Sequence, residues 1–195
     1  MTLSGALYCQ TVQKAEVSSA SDQELIAALA STDKESSHDA VVEIMRRGER
    51  MLPLLLKCKG NKKYFYGAGL GHRYSATLIP LPTGNAKADE SRVITVEVAA
   101  LYLISAIFYD SLEFAQAPYL ADGSRVKMNR FNTRARVSEA WRSVERWNER
   151  LQVEGLRVLR EKKDAPLQTS KAQFWGTSES GIPTRGRITP PPIRY

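Results

Sequence analysis

The residues of this chain best suited to chemistry are two histidines, two cysteines and one glycine-rich run. General acid–base catalysis needs titratable groups that converge on one point. His38 adjoins Asp39, and neighbours in sequence leave a helix on different faces, so their spacing makes no dyad. His72 closes the run Gly67-Ala68-Gly69-Leu70-Gly71-His72. Glycines at this spacing suggest a phosphate loop, but the lysine–serine ending and the strand-to-helix junction of such a loop are missing. Cys9 and Cys58 are too few for a disulfide framework or a four-ligand zinc site. Cys58 follows Leu54-Leu55-Leu56 and is expected to be a buried, inert thiol. No serine, cysteine or carboxylate pair carries a nucleophile signature. The sequence thus points to a non-catalytic protein with no catalytic residue, cofactor or metal ligand to name.

What remains is binding chemistry, and here charge is informative. Residues 1–122 carry a net charge of −2 and residues 123–195 a net charge of +9. The basic character belongs to the C-terminal third, which suits an anionic partner. Its densest part, Ser124–Val137, holds Arg125, Lys127, Arg130, Arg134 and Arg136 with Phe131 among them and no acid. A second candidate surface is Tyr64 and Tyr66, inside an irregular stretch.

The elements that must position these residues are helical. Ser21 and Glu24 form a capping box ahead of Leu25, Ile26 and Leu29, predicting a helix that ends near Ala30. Ala40, Val41, Ile44 and Met45 predict a second helix, with Arg46 and Arg47 in its last turn and Gly48 as C-cap. Pro53 is tolerated in a first turn, so a third helix is expected to start near Arg50. Residues 60–91, rich in glycine, proline and tyrosine, form a long irregular loop. Ser91 is expected to cap a helix over Arg92–Tyr109, apolar nearly all round and therefore the most buried. That helix is too short to span a membrane.

The last helix is expected to start near Ser138. Ala140, Val144, Trp147, Leu151, Gly155 and Val158 make its apolar stripe, Gly155 marks a close helix crossing, and Trp141 lies nearer the edge. On its other faces Arg150–Glu154 and Arg157–Glu161 are spaced as ion pairs. After Pro166 the periodicity stops; Phe174 and Trp175 could dock the segment back onto the body, and 176–195 is a disordered basic tail with a polyproline bias.

In the segments Glu24–Ala30, Ser37–Arg47 and Gly48-Glu49-Arg50-Met51-Leu52-Pro53-Leu54-Leu55-Leu56, about residues 21–59, the chain resembles bacterial HEAT-like repeat proteins. The phrase that carries the likeness is the glycine, acid, apolar pair, proline and leucines after a helix end. The resemblance implies antiparallel helix pairs and a protein-binding scaffold.

The expected organisation is an all-α protein: a flexible arm over 1–20, one helical domain over 21–175 and the tail. The expected function is a helical interaction module or scaffold that binds a protein partner. The alternative is a binder of nucleic acid or another polyanion through 125–136. Leu3–Cys9 has the apolar character that ends an export signal but lacks the basic start. The expected location is therefore cytoplasmic by default, or exported if the true start lies upstream of Met1.

Overall fold

A computed structural model describes residues 19–67, 94–112, 120–122, 132–167 and 172–174. Residues 1–18 of the 1–20 arm, most of the 60–91 loop, the 176–195 tail and Arg125, Lys127, Arg130 and Phe131 lie outside the described residues. The described part is all-α: α1 (Asp22–Ala28), α2 (Lys34–Arg47), a 3-10 turn (Gly48–Met51), α3 (Leu52–Leu56), α4 (Val96–Tyr109), α5 (Arg134–Glu154) and α6 (Leu156–Glu161). Two three-residue strands, β1 (Leu120–Asp122) and β2 (Ala172–Phe174), pair antiparallel with Leu120 opposite Phe174. This pairing, absent from the sequence expectation, ties 172–174 to the body.

The N-terminal helices begin where their caps dictate. Ser21 Oγ accepts from the Glu24 N–H, while Glu24 Oε2 accepts from the Ser21 N–H at 2.6 Å. Asp33 caps α2 by accepting from the N–H groups of Glu35 and Ser36. Gly48 ends α2 at φ +61, a conformation open to glycine at little cost. The expected third helix opens instead as a 3-10 turn, and α3 proper begins at Leu52. The N-terminal helices are also cross-tied by charge. Arg47, with a side chain only 6% exposed, bonds Glu43 at 2.7 Å and Asp22 at 2.6 Å. Arg46 and then Arg47 hold the buried Glu43 carboxyl down at about pKa 2.

The core is one cluster of buried side chains, and α4 is its axis: Val96 through Phe108 are all buried. Burial pushes the Cys58 thiol up to about 11, so this cysteine is the inert thiol expected. At the far end of α4, Arg160 donates to the carbonyls of Ile107 and Phe108, two of the groups a helix C-terminus leaves open. Its charge also complements the negative end of the helix dipole.

Several sequence expectations are corrected here. Helix α4 starts at Val96, not Arg92, because residues 94–95 are extended and pair with 64–65. Helix α5 starts at Arg134, four residues before Ser138, which moves Arg134 and Arg136 from a basic segment onto a helical first turn. Trp141 is not at the edge but buried: α5 packs against α4 and against both strands, so its inward face is wider than one stripe. Gly155 makes no close crossing. Its φ of +82 and ψ of 157 break the helix, and a β-carbon there would meet nothing within 4 Å. Past that break Leu156 and Leu159 turn inward in place of Gly155 and Val158. Arg150 pairs with Asp164, not Glu154, which bonds Lys162; Arg157–Glu161 is present at 3.8 Å.

Candidate functional site

The site is built where two helix starts meet one loop. After α3 the chain turns at Gly60 and runs back beside the start of α4. The Val96 N–H donates to the Lys63 carbonyl, the Glu97 N–H to the Asn61 carbonyl, and the Phe65 N–H to the Ile94 carbonyl. Donors that a helix start ordinarily leaves open are thus taken by the loop. The N-cap Thr95 is relieved of capping, and its Oγ1 is buried with no partner.

The second helix start is α5. Leu120 of β1 and Asn132 clasp each other, Asn132 N–H to the Leu120 carbonyl at 3.1 Å and Leu120 N–H to Asn132 Oδ1 at 2.8 Å. That clasp fixes where α5 begins. Its N-cap, Thr133, makes no side-chain capping bond, and its first turn carries no acid but Arg134 and Arg136. Cations at the positive end of a helix dipole are placed against the field. An anion supplied from outside would offset that.

Between these parts lies a cleft of about 710 Å³. The loop contributes Lys59, Lys62 and Tyr64, and the α4 start contributes Thr95 and Glu97. From α5 come Arg134, Val137, Ser138 and Trp141. These four fall at i, i+3, i+4 and i+7, one face of one helix. Glu97, with a side chain 5% exposed, is compensated by Lys62 and by the Gly60 N–H at 2.9 Å. Lys59 pairs with Glu145. Among the described residues Arg134 has no ion-pair partner, and it is exposed.

The remaining wall feature is the Trp141 indole. The residue is 2% exposed, and Nε1–H has no hydrogen-bond partner. Buried polar groups are ordinarily paired, and leaving one unmade costs about 1–3 kcal/mol. Among the described residues two buried side-chain atoms stand unpaired, Thr95 Oγ1 and Trp141 Nε1, and both belong to residues lining this cleft. Trp147, two turns along α5, shows the ordinary case: its Nε1–H donates to the Asp164 carbonyl at 2.9 Å.

The structure therefore joins Tyr64 and Arg134, two surfaces that the sequence held apart, on one cleft. Tyr66 packs edge-on against Tyr64 at 6.3 Å, and Arg136 is half-buried in the first turn of α5. Sequence reasoning missed Thr95, Trp141, Lys59 and Lys62. The signal for Trp141 was the seven-residue spacing from Arg134, which has meaning only when α5 is started at Arg134. No protein-family model, curated protein or solved structure matches this chain. Among the described residues no three His, Cys, Asp or Glu side chains gather as a metal site, and no helix is long and apolar enough to cross a membrane.

Proposed function

We propose that this protein is a non-catalytic helical interaction module and that the cleft between the α4 and α5 starts is where it receives a protein partner. The observation that carries this reading is that one cleft is lined by the exposed Tyr64 and by the exposed Arg134, which has no ion-pair partner among the described residues, with the apolar body of Trp141 in its wall. Trp, Tyr and Arg are the residue types that dominate binding energy at protein interfaces. A volume of about 710 Å³ lies in the range of ligand-receiving clefts. The HEAT-like resemblance over 21–59 agrees with a scaffold role, since helix pairs of that kind present binding surfaces.

Photo-crosslinking tests the reading directly. A photoreactive residue at position 64, on the cleft rim, should trap a defined partner in cells. The same group at Val153, which is 85% exposed and away from the cleft lining, should not. Equal trapping at both positions, or turnover of a small molecule by the pure protein, would refute it. A second reading, binding of nucleic acid or another polyanion, is favoured by the net charge of +9 over residues 123–195. It predicts affinity for single- or double-stranded nucleic acid that falls steeply with salt as counterions are released.

A further inference from the structure

The first helix is held to the body by a few groups that can be named. Helix α1 has seven residues, fewer than the about 12–15 at which a helix keeps its shape alone in water. Its helical state therefore depends on its seat against α2 and α3. Leu25 and the C-cap Leu29 are its fully buried side chains, and with Asp22 they fall at i, i+3 and i+7, on one face. Gln23, Glu24 and Ala27 are exposed. Polar contacts from α2 hold both ends. At the N-terminal end the Arg47 guanidinium donates to Asp22 Oδ1 at 2.6 Å and to the Ala20 carbonyl at 2.7 Å. At the C-terminal end the buried Ser37 hydroxyl donates to the Leu29 carbonyl at 3.1 Å, a group that a helix end leaves open.

We propose that α1 is a latch: it lifts from α2 and α3 as a unit while the rest of the body stays folded, and the Asp22–Arg47 contact is its catch.

Burial singles out this contact. Arg50 donates to the same Asp22 oxygen at 2.6 Å, but its side chain is 61% exposed, against 6% for Arg47. Exposed ion pairs contribute little, whereas breaking a buried one strands a charge away from water and is strongly destabilising. The fold can relieve that cost locally. With α1 lifted, Arg47 opens to water on the side that α1 covered and keeps Glu43, four residues back on its own helix. The body does not need α1. Both α2 and α3 pack on α4, the axis of the core, and Asp33 caps α2 through the N–H groups of Glu35 and Ser36 alone. A unit with few buried apolar groups opens at a free energy below that of global unfolding. What the open state uncovers is an apolar seat for two leucines with Arg47 and Arg50 at its rim.

Native-state hydrogen exchange of the full chain, read residue by residue as protection factors, tests this. The amides of Leu25–Ala28 should share one protection level, at least tenfold below that of Leu101–Ile104 in α4. Asp22→Asn should lower the α1 level by about tenfold or more and leave the α4 level unchanged. Arg47→Gln should do the same, and the double variant should go little beyond the larger single effect, as for residues acting through one contact. Arg50→Gln should change the α1 level by less than about threefold. Equal protection of α1 and α4, an Asp22→Asn effect that reaches both helices alike, fully additive single effects, or an Arg50→Gln effect as large as that of Arg47→Gln would each overturn the proposal. If Arg47→Gln fails to fold, the contrast between Asp22→Asn and Arg50→Gln still decides it.

Discussion

Trp141 and Trp147 lie six residues apart on α5, are buried to nearly the same degree, and should respond differently to the same substitution. Trp147 is fully buried, packs edge-on against Phe108 with ring centres 6.1 Å apart, and donates to the Asp164 carbonyl. Replacing it with phenylalanine shrinks the ring and leaves that carbonyl without its donor, a loss of about 1–3 kcal/mol in the second term alone. Replacing Trp141 with phenylalanine shrinks the ring equally but deletes a donor that is already unpaired. The relief of that buried N–H, also about 1–3 kcal/mol, offsets the lost packing. Trp147→Phe should therefore destabilise by at least ~1 kcal/mol more than Trp141→Phe, with Trp147→Ala costing about 3–5 kcal/mol. Arg146→Ala, on the exposed side of the helix, should hardly move the midpoint. Denaturant titration at constant slope measures all four as midpoint shifts. If Trp141→Phe proved as costly as Trp147→Phe, the Trp141 N–H would have a partner in the folded protein.

Two further predictions follow from local geometry. The Glu43 carboxyl is held near pKa 2, below its usual 4.5, by Arg46 and Arg47. A depressed carboxylate stabilises the fold above its unfolded value and loses that contribution as pH falls through its folded value. Stability should thus decline between about pH 4.5 and 2, and Glu43→Gln should flatten that decline in pH-dependent denaturant titrations; an unchanged slope would mean that the pair with Arg46 and Arg47 is not kept in solution. Gly155→Ala should destabilise by about 1–3 kcal/mol through backbone strain at positive φ, although space for the methyl group is open. A stabilised variant would instead show α5 running unbroken into α6.

Local rules account for the parts of the fold that were legible in the chain. The Ser21–Glu24 capping box, the Gly48 helix end and the thirteen consecutive buried positions of α4 all depend on residues within a turn or two of one another. The inert Cys58 and the inward Trp147 belong to the same class, since helical periodicity already assigns their face.

Tertiary structure decided the rest wherever a backbone or side-chain group found its partner far along the chain. Helix α4 starts at Val96 because the Asn61 and Lys63 carbonyls claim its first donors, and α5 starts at Arg134 because Leu120 clasps Asn132. Neither contact leaves a trace in the local pattern. Arg150 lies four residues from Glu154 yet bonds Asp164, which the chain reaches only after the break at Gly155. The cleft is the strongest case. Periodicity could assign Trp141 to a face, but whether its N–H is paired depends on every element packed around it, and on where two helix starts and one loop come to rest. Residue type determines which groups a side chain offers; only the assembled fold determines which of them find a partner.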